Sequence, residues 1–185
     1  MSRIMTIDEI LQFNKAFVEG KKYEAYATSK YPDSKIAILS CMDTRLSVLL
    51  TAALGLKNGD VKIIKNAGGL IMSPFDSAMR SILVGIYELG VEHVMVIAHS
   101  DCGACHLDGH EMVHLMRERG ISSQTIDTVR RCGMDLEAWL EGFHDTEASV
   151  RRTVSIIRNH PLVPADISVS GYIIDPTTGK LDAVL

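Results

Sequence analysis

Three short apolar runs along the chain predict buried β-strands, and the segments between them predict helices. The strands are predicted at Lys35–Ser40, Val61–Lys65 and His93–Ala98. A first helix is expected at Leu46–Leu54 before Gly55, and a second from Ser73 and Pro74 to Leu89 before Gly90. This alternation of strand and helix is typical of βαβ units with a parallel sheet.

The two ends of the chain extend this pattern. Thr6 and Glu9 form the capping-box motif at the start of an amphipathic helix. Residues 106–160 are expected to be mostly helical, and Gly171–Asp175 with Lys180–Val184 predict a final pair of strands. The sequence therefore predicts an α/β fold in one domain over residues 1–185: a mainly parallel β-sheet flanked by helices, with an N-terminal helix.

Composition and charge narrow the class of protein. The chain has 185 residues, 46% of them hydrophobic and 23% charged, with a net charge of −4, so nothing favours a nucleic-acid or membrane partner. Asp8 and Glu9 stand where a signal peptide would need apolar residues, and we expect a cytoplasmic protein. The four cysteines are then expected to be thiolate ligands or buried thiols rather than disulfides.

A candidate metal site lies where the predicted strands end. Cys41 follows the first strand, and His99 and Cys102 follow the third. The carboxyl ends of parallel strands meet at one edge of the sheet, where ligands bind. Two thiolates and one imidazole suit Zn²⁺, and three protein ligands leave a fourth position open for chemistry. We therefore predict a catalytic zinc site at this edge.

Two loops at the same edge add candidate partners for that site. Asp43 and Arg45 are close enough for an arginine fork to hold the carboxylate, which could face a zinc-bound hydroxide or bind zinc itself. The second strand is followed by a small-residue loop that would let a small ligand approach the backbone. Its residues are Asn66, Ala67, Gly68 and Gly69.

Two other motifs overlap the third loop and leave alternatives open. Cys102 and Cys105 form a C-x-x-C, which redox pairs also use. His110, Glu111 and His114 match H-E-x-x-H, the zinc-protease pattern. No downstream third ligand stands at a recognised spacing for such a protease, so a solvated helix face is the competing interpretation.

Taken together, the motifs resemble the β-class carbonic anhydrases, in particular their small prokaryotic, cab-type branch. The resemblance rests on C-x-D-x-R at 41–45, N-A-G at 66–68, H-S-x-C-G at 99–103 and a similar tail from Gly171. It implies zinc held by Cys41, His99 and Cys102, and Asp43 with Arg45 as the catalytic pair. It also implies that Asp43 can become a fourth ligand in a closed state.

The resemblance further implies the reaction, the pocket and the assembly. The expected activity is reversible hydration of carbon dioxide to bicarbonate and a proton by zinc-bound hydroxide, with Gly103 and the 66–69 loop forming the substrate pocket. Hydrolysis of carbonyl sulfide or carbon disulfide on the same site, or a non-catalytic zinc- or bicarbonate-binding role, is the alternative. A homodimer or higher homo-oligomer is expected. Lys65, where the family usually has arginine, and Cys105 depart from the family pattern.

Overall fold

The computed structural model describes residues 5–185 and contains seven α-helices and five strands within that range. The strands are β1 (Ile36–Cys41), β2 (Val61–Asn66), β3 (His93–His99), β4 (Ser168–Ile174) and β5 (Leu181–Ala183). The helices are α1 (Ile7–Glu19), α2 (Leu46–Ala53), α3 (Ser77–Leu89), α4 (Gly109–Glu118), α5 (Ser123–Arg131), α6 (Leu136–Leu140) and α7 (Thr146–Arg158). Short 3₁₀ turns span Lys22–Tyr26, Ala67–Gly69 and Gly103–His106.

The five strands form one sheet in the order β2-β1-β3-β4-β5. All neighbouring pairs are parallel except β4 with β5, which are antiparallel. Cys41 pairs in register with Asn66, and His99 pairs with Ile174. This arrangement confirms the predicted mainly parallel sheet flanked by helices, and it brings the carboxyl ends of β1, β2 and β3 together.

Helices cover both faces of the sheet because the strands are apolar on both sides, as buried parallel strands require. On one face, α3 and α7 contribute Met79, Ile82, Val154 and Ile157 to the larger core cluster. On the other face, α2 packs Leu46 and Leu50 into a second cluster that also contains Cys41 and Cys102. The candidate ligands are therefore part of a packed core, which limits how far they can move.

The chain divides after Lys30 into two compact units. The first unit holds α1, which begins with the predicted capping box: the Thr6 hydroxyl accepts from the Glu9 N–H, and the Glu9 carboxylate accepts from the Thr6 N–H. The Phe17 and Tyr26 rings lie 6.0 Å apart within this unit. The sheet and the remaining helices form the second unit. The single domain expected over residues 1–185 stays a prediction.

The start predicted at Ser73 and Pro74 for the helix that ends before Gly90 is wrong. The helix α3 begins at Ser77, because the Asp76 carboxylate accepts from the Met79 N–H at 2.8 Å and caps it there. Pro74 lies outside the helix, and its carbonyl accepts a hydrogen bond from His160 Nε2 at 2.8 Å. The aspartate two residues beyond the proline was thus the stronger start signal.

Within residues 5–185, no helix combines the length and apolar character that a membrane span requires.

Candidate metal centre

The ends of β1 and β3 bring Cys41, His99 and Cys102 together. Their ligand atoms lie within 4.8 Å of one another, and all three residues are buried. The two sulfur atoms are 3.8 Å apart. Two sulfurs bound to one tetrahedral zinc at about 2.3 Å each would be about 3.8 Å apart. The spacing of the thiols therefore already fits a shared metal ion.

The imidazole of His99 is oriented for metal binding. Its Nδ1 donates to the carbonyl of Ser100 at 2.9 Å, which leaves the lone pair on Nε2. Within the described part of the chain, Nε2 is buried and forms no hydrogen bond. A buried, unsatisfied nitrogen is costly unless something binds it. A backbone carbonyl on one ring nitrogen and a free lone pair on the other is the arrangement found in histidine ligands of metals.

The electrostatics of the two thiols also suit a cation. Burial raises the pKa of Cys41, but the His99 imidazole and the backbone N–H groups of Asp43 and Gly68 together lower it by more, so the net pKa falls to about 7. Burial and the nearby Cys41 sulfur raise the pKa of Cys102. A cation between the sulfurs would stabilise both thiolates at once.

Beside this cluster, Arg45 holds the carboxylate of Asp43 through both oxygens. Arg45 Nε donates to Oδ1 at 3.0 Å and Nη2 donates to Oδ2 at 2.8 Å, while the Arg45 backbone N–H also donates to Oδ1 at 2.9 Å. These bonds lower the pKa of Asp43 to about 2, with the Arg45 side chain as the main cause. Asp43 Oδ2 lies 3.7 Å from His99 Nε2. An ionised carboxylate is thus fixed at the rim of the metal cluster.

Behind the site, the Asn66–Gly69 loop is closed by a reciprocal amide pair. Asn66 Nδ2 donates to the Leu70 carbonyl at 2.7 Å, and Asn66 Oδ1 accepts from the Leu70 N–H at 3.0 Å. Gly69 has a φ of 68°, and a Cβ there would lie 2.9 Å from the backbone nitrogen of Cys41. Only glycine fits this contact, so the loop can press directly against the end of β1.

A cavity of about 580 Å³ opens beside the cluster. It is lined by Cys41, Met42, Asp43, Thr44, Arg45, Ala67, Gly68, Cys102, Gly103, Ala104 and Leu107. Of the residues predicted for the pocket, Ala67, Gly68 and Gly103 line it. Asn66 and Gly69 do not line it. Asn66 bonds to the backbone of Leu70, and Gly69 packs against the end of β1.

The sequence did not predict the other apolar walls of the cavity or the hydrogen bonds that Lys65 and Asp101 form beside it. Met42, Ala104 and Leu107 line the cavity, but no sequence motif marks them. Lys65 Nζ donates to the Leu46 carbonyl at 3.1 Å and to the Cys41 carbonyl at 3.3 Å, so this lysine ties β2 to the first ligand. Asp101 accepts from Arg45; its position between His99 and Cys102 was the available signal.

The competing motifs lie apart from this cluster. His110, Glu111 and His114 are exposed on α4, where His114 Nε2 lies 3.4 Å from Glu118. Within residues 5–185, potential metal ligands converge at the strand ends and not on α4. All four cysteines are free thiols, and the sulfur next to Cys102 is that of Cys41 rather than Cys105.

Known proteins resemble this chain over most of its length. A family model described as carbonic anhydrase matches residues 36–181. The chain is 50% identical over 179 residues to "Putative carbonic anhydrase YtiB" of Bacillus subtilis, covering 97% of this chain and 96% of that one. A carbon disulfide hydrolase of Acidithiobacillus thiooxidans is 31% identical over 180 residues, covering 92% and 87%. The crystal structure of β-carbonic anhydrase isoform I from Trichomonas vaginalis superposes with a TM-score of 0.89 at 33% identity, covering 98% of both chains.

Proposed function

Since the chain belongs to the β-carbonic anhydrase family, we propose that it hydrates carbon dioxide reversibly to bicarbonate and a proton at a zinc ion held by Cys41, His99 and Cys102. The observation that carries the proposal is the buried pair of thiols 3.8 Å apart beside an imidazole whose Nε2 forms no hydrogen bond within residues 5–185. Zinc, when bound there, supplies a Lewis acid that lowers the pKa of a water molecule.

Asp43 orients the attacking water in this proposal. Its carboxylate stays ionised at neutral pH because Arg45 lowers its pKa to about 2. An ionised carboxylate can only accept hydrogen bonds, so it would accept one from the water and thereby leave an oxygen lone pair free for attack on a substrate in the cavity. Arg45 prevents the carboxylate from rotating, because two of its nitrogen atoms hold the two carboxylate oxygens.

The apolar walls of the cavity receive the substrate. Ala67, Ala104 and Leu107 offer no hydrogen-bonding side chain, which suits an uncharged, linear molecule such as carbon dioxide. The cavity of about 580 Å³ is far larger than carbon dioxide, so its size does not select among carbon dioxide, carbonyl sulfide and carbon disulfide. The 31% identity to a carbon disulfide hydrolase favours the sulfur analogues as the second candidate substrates.

Stopped-flow hydration of carbon dioxide by the zinc-loaded protein tests the proposal, with zinc content measured on the same samples. We expect turnover that a chelator abolishes and that added zinc restores. Zinc bound without turnover of carbon dioxide would contradict the proposal. The same samples are then assayed for hydrogen sulfide release from carbonyl sulfide and carbon disulfide. A zinc-loaded protein that turns over none of the three substrates would favour a non-catalytic zinc- or bicarbonate-binding role.

We also propose a homodimer or higher homo-oligomer. The support lies in α1, which has no buried residue although its apolar side chains follow a helical period. Ile7, Ile10 and Leu11, which share one side of the helix, are 76%, 51% and 61% exposed. Such a face usually marks an interaction surface. Light scattering after size-exclusion chromatography should give at least twice the chain mass of 20.3 kDa, and a monomer at micromolar concentration would refute the assignment.

A cytoplasmic location completes the proposal. Its support is the chemistry of the four cysteines, which are all free thiols and two of which are needed as thiolates. A reducing compartment keeps them so. Fractionation of cells that express the chain should place it with cytoplasmic markers.

A further inference from the structure

We propose that Asp101 is a positioning residue for the reaction: it fixes the guanidinium of Arg45 from the side opposite Asp43, and thereby fixes the direction of the Asp43 carboxylate. The inference rests on the proposed hydration of carbon dioxide and adds to it a residue that the family motifs leave unspecified.

The guanidinium of Arg45 is held on two sides. Toward the metal cluster it donates to Asp43, as described above. Away from the cluster, Nη1 donates to Asp101 Oδ2 at 2.9 Å and Nη2 donates to the Asp101 backbone carbonyl at 2.8 Å. Four of the five guanidinium N–H groups are thus in use. A planar fork with partners on both edges cannot rotate without breaking bonds to one of them.

The backbone of Asp101 is unusual in a way that serves this contact. Its φ is 54°, in the left-handed region that few residues other than glycine enter. Aspartate and asparagine tolerate this conformation better than other side chains do. In this conformation the carbonyl and the carboxylate of one residue both reach the same guanidinium. Strained backbone of this kind tends to persist where a site requires it.

The position of Asp101 explains why its contact matters for Asp43. It stands two residues after His99 and directly before Cys102, so its backbone is fixed by two buried candidate ligands. Arg45 Nη2 is shared between the Asp101 carbonyl and Asp43 Oδ2, the oxygen that lies 3.7 Å from His99 Nε2. Asp101 therefore ties the direction of the carboxylate to the same turn that carries the metal ligands.

A purely stabilising surface ion pair is the alternative, and it predicts a different result. The Asp101 side chain is 82% exposed, and exposed pairs contribute about 0–1 kcal/mol to stability. Removing the carboxylate should therefore leave the unfolding temperature nearly unchanged. Misplacing an oriented catalytic group, in contrast, can cost about a hundredfold in rate for a shift of about 1 Å. The two roles separate when rate and stability are measured together.

The test compares Asp101→Gly and Asp101→Asn in zinc-loaded protein. Glycine accepts a positive φ but removes the carboxylate, and we expect kcat to fall about tenfold with KM, zinc content and Tm unchanged. Asparagine keeps an oxygen within reach of Arg45 Nη1, and we expect it to retain kcat within about threefold. A kcat for Asp101→Gly equal to that of the wild type would overturn the positioning role.

Asp127→Asn is the matched control. Asp127 pairs with Arg130, which also contacts a second carboxylate, that of Glu137, and the Asp127 side chain is 51% exposed. This variant removes an exposed carboxylate from a similar arginine, but on α5 instead of at the cavity. It should keep the kcat of the wild type. An equal loss in both variants would mean that exposed charge alone, and not contact with Arg45, sets the rate.

A double-mutant cycle tests whether Asp101 acts through Arg45. In an Arg45→Ala background, Asp101→Gly should lower kcat no further, because the group it positions is gone. Additive losses would refute action through Arg45. The exchange of the Arg45 Nε–H with water, followed by NMR in zinc-free protein, gives a readout that does not need activity. We expect faster exchange in Asp101→Gly than in the wild type; equal exchange overturns the proposal even where the wild type proves inactive toward carbon dioxide.

Discussion

Two regions of this molecule carry sequence patterns that bind zinc elsewhere, and they differ in how their residues meet. The pattern on α4, His110-Glu-x-x-His114, is contiguous, but its side chains point from an exposed helix face into solvent. The strand-end cluster is spread over residues 41–102, but its three ligand atoms converge within 4.8 Å. The parallel sheet makes the difference, because it places the ends of β1 and β3 side by side.

The comparison shows that burial and convergence of the ligand atoms indicate a metal site better than a match to a sequence motif does. Cys41, His99 and Cys102 are 5%, 0% and 3% exposed, and His99 Nε2 has no hydrogen-bond partner in the described chain. Buried polar groups are expected to have a partner, and the open Nε2 of His99 beside two thiols offers a place for a metal ion. On α4 the three side chains are exposed and can form hydrogen bonds with water.

The largest effect is expected from Cys102→Ala. The variant leaves two of the three ligands, so zinc should be lost and hydration of carbon dioxide should fall to the uncatalysed rate. Metal analysis and stopped-flow assays measure both. Cys105→Ala is the matched control, since Cys105 lies outside the cluster, and it should keep zinc and turnover. Zinc retained in Cys102→Ala would remove this cysteine from the site.

Asp43→Ala separates metal binding from the orientation of water. Zinc content should stay at one per chain, because the three ligands are untouched. Turnover should fall about a hundredfold, the usual scale for the loss of an oriented acceptor of this kind. Turnover close to that of the wild type would exclude Asp43 from the mechanism, and loss of zinc would make it a ligand instead.

Gly69→Ala tests the close contact between the loop and the end of β1. The new methyl group would lie 2.9 Å from the Cys41 backbone nitrogen, at a φ of 68°. We expect a loss of about 2–4 kcal/mol in the free energy of unfolding, measured with urea. Gly120→Ala, just past α4, is the control: its φ is 94° but its surroundings are open, so it should cost about 1 kcal/mol. Equal losses would show that φ alone, without the contact, sets the cost.

A smaller effect concerns the pH dependence of stability. Arg45 lowers the pKa of Asp43 from 3.8 to about 2, so the carboxylate contributes fully above about pH 4 and loses its contribution as the pH falls through about 2. In zinc-free protein, the free energy of unfolding of the wild type, measured with urea, should exceed that of Asp43→Asn by at most about 2 kcal/mol at pH 6. This difference in free energy should shrink from pH 4 to pH 2. A difference that grows toward low pH would contradict the assigned pair.

The smallest effect is expected from the α4 motif. Glu111→Gln and His114→Ala should change zinc content and hydration of carbon dioxide by less than about twofold, because surface substitutions away from a site are usually close to neutral. A peptidase assay on casein should stay negative for the wild type. Peptidase activity that Glu111→Gln abolishes would reverse the comparison between the two regions.

Most of the fold followed from the sequence, and the exceptions have physical causes. The strands began within one residue of the predicted β1, β2 and β3 because runs of β-branched and apolar residues between turns leave little choice. The start of α3 differs from the predicted one because the capping aspartate, Asp76, determines where the helix begins, and the preceding Pro74 does not. The strand order depends on long-range pairing and was not predicted.

The convergence of the candidate ligands could likewise be predicted, because strand ends are fixed by topology. Part of the cavity wall could not, since Met42, Ala104 and Leu107 join the predicted lining only through the packing of loops and a 3₁₀ turn. Asp101 lies inside the H-S-D-C motif at 99–102, so its position was evident from the sequence. Its contact with Arg45 depends on a left-handed backbone, which no periodicity of apolar residues records.

The amide pair between Asn66 and Leu70 has a thermodynamic consequence for ligand affinity. Because the side chain of Asn66 satisfies both backbone groups of Leu70, the glycine loop is held in one shape by the chain's own hydrogen bonds. Loops that order on binding subtract their lost conformational entropy from affinity, and a preorganised loop does not. The proposed substrate, carbon dioxide, has only three atoms and offers few contacts to offset such a loss, so a loop held in shape would favour rapid and reversible binding.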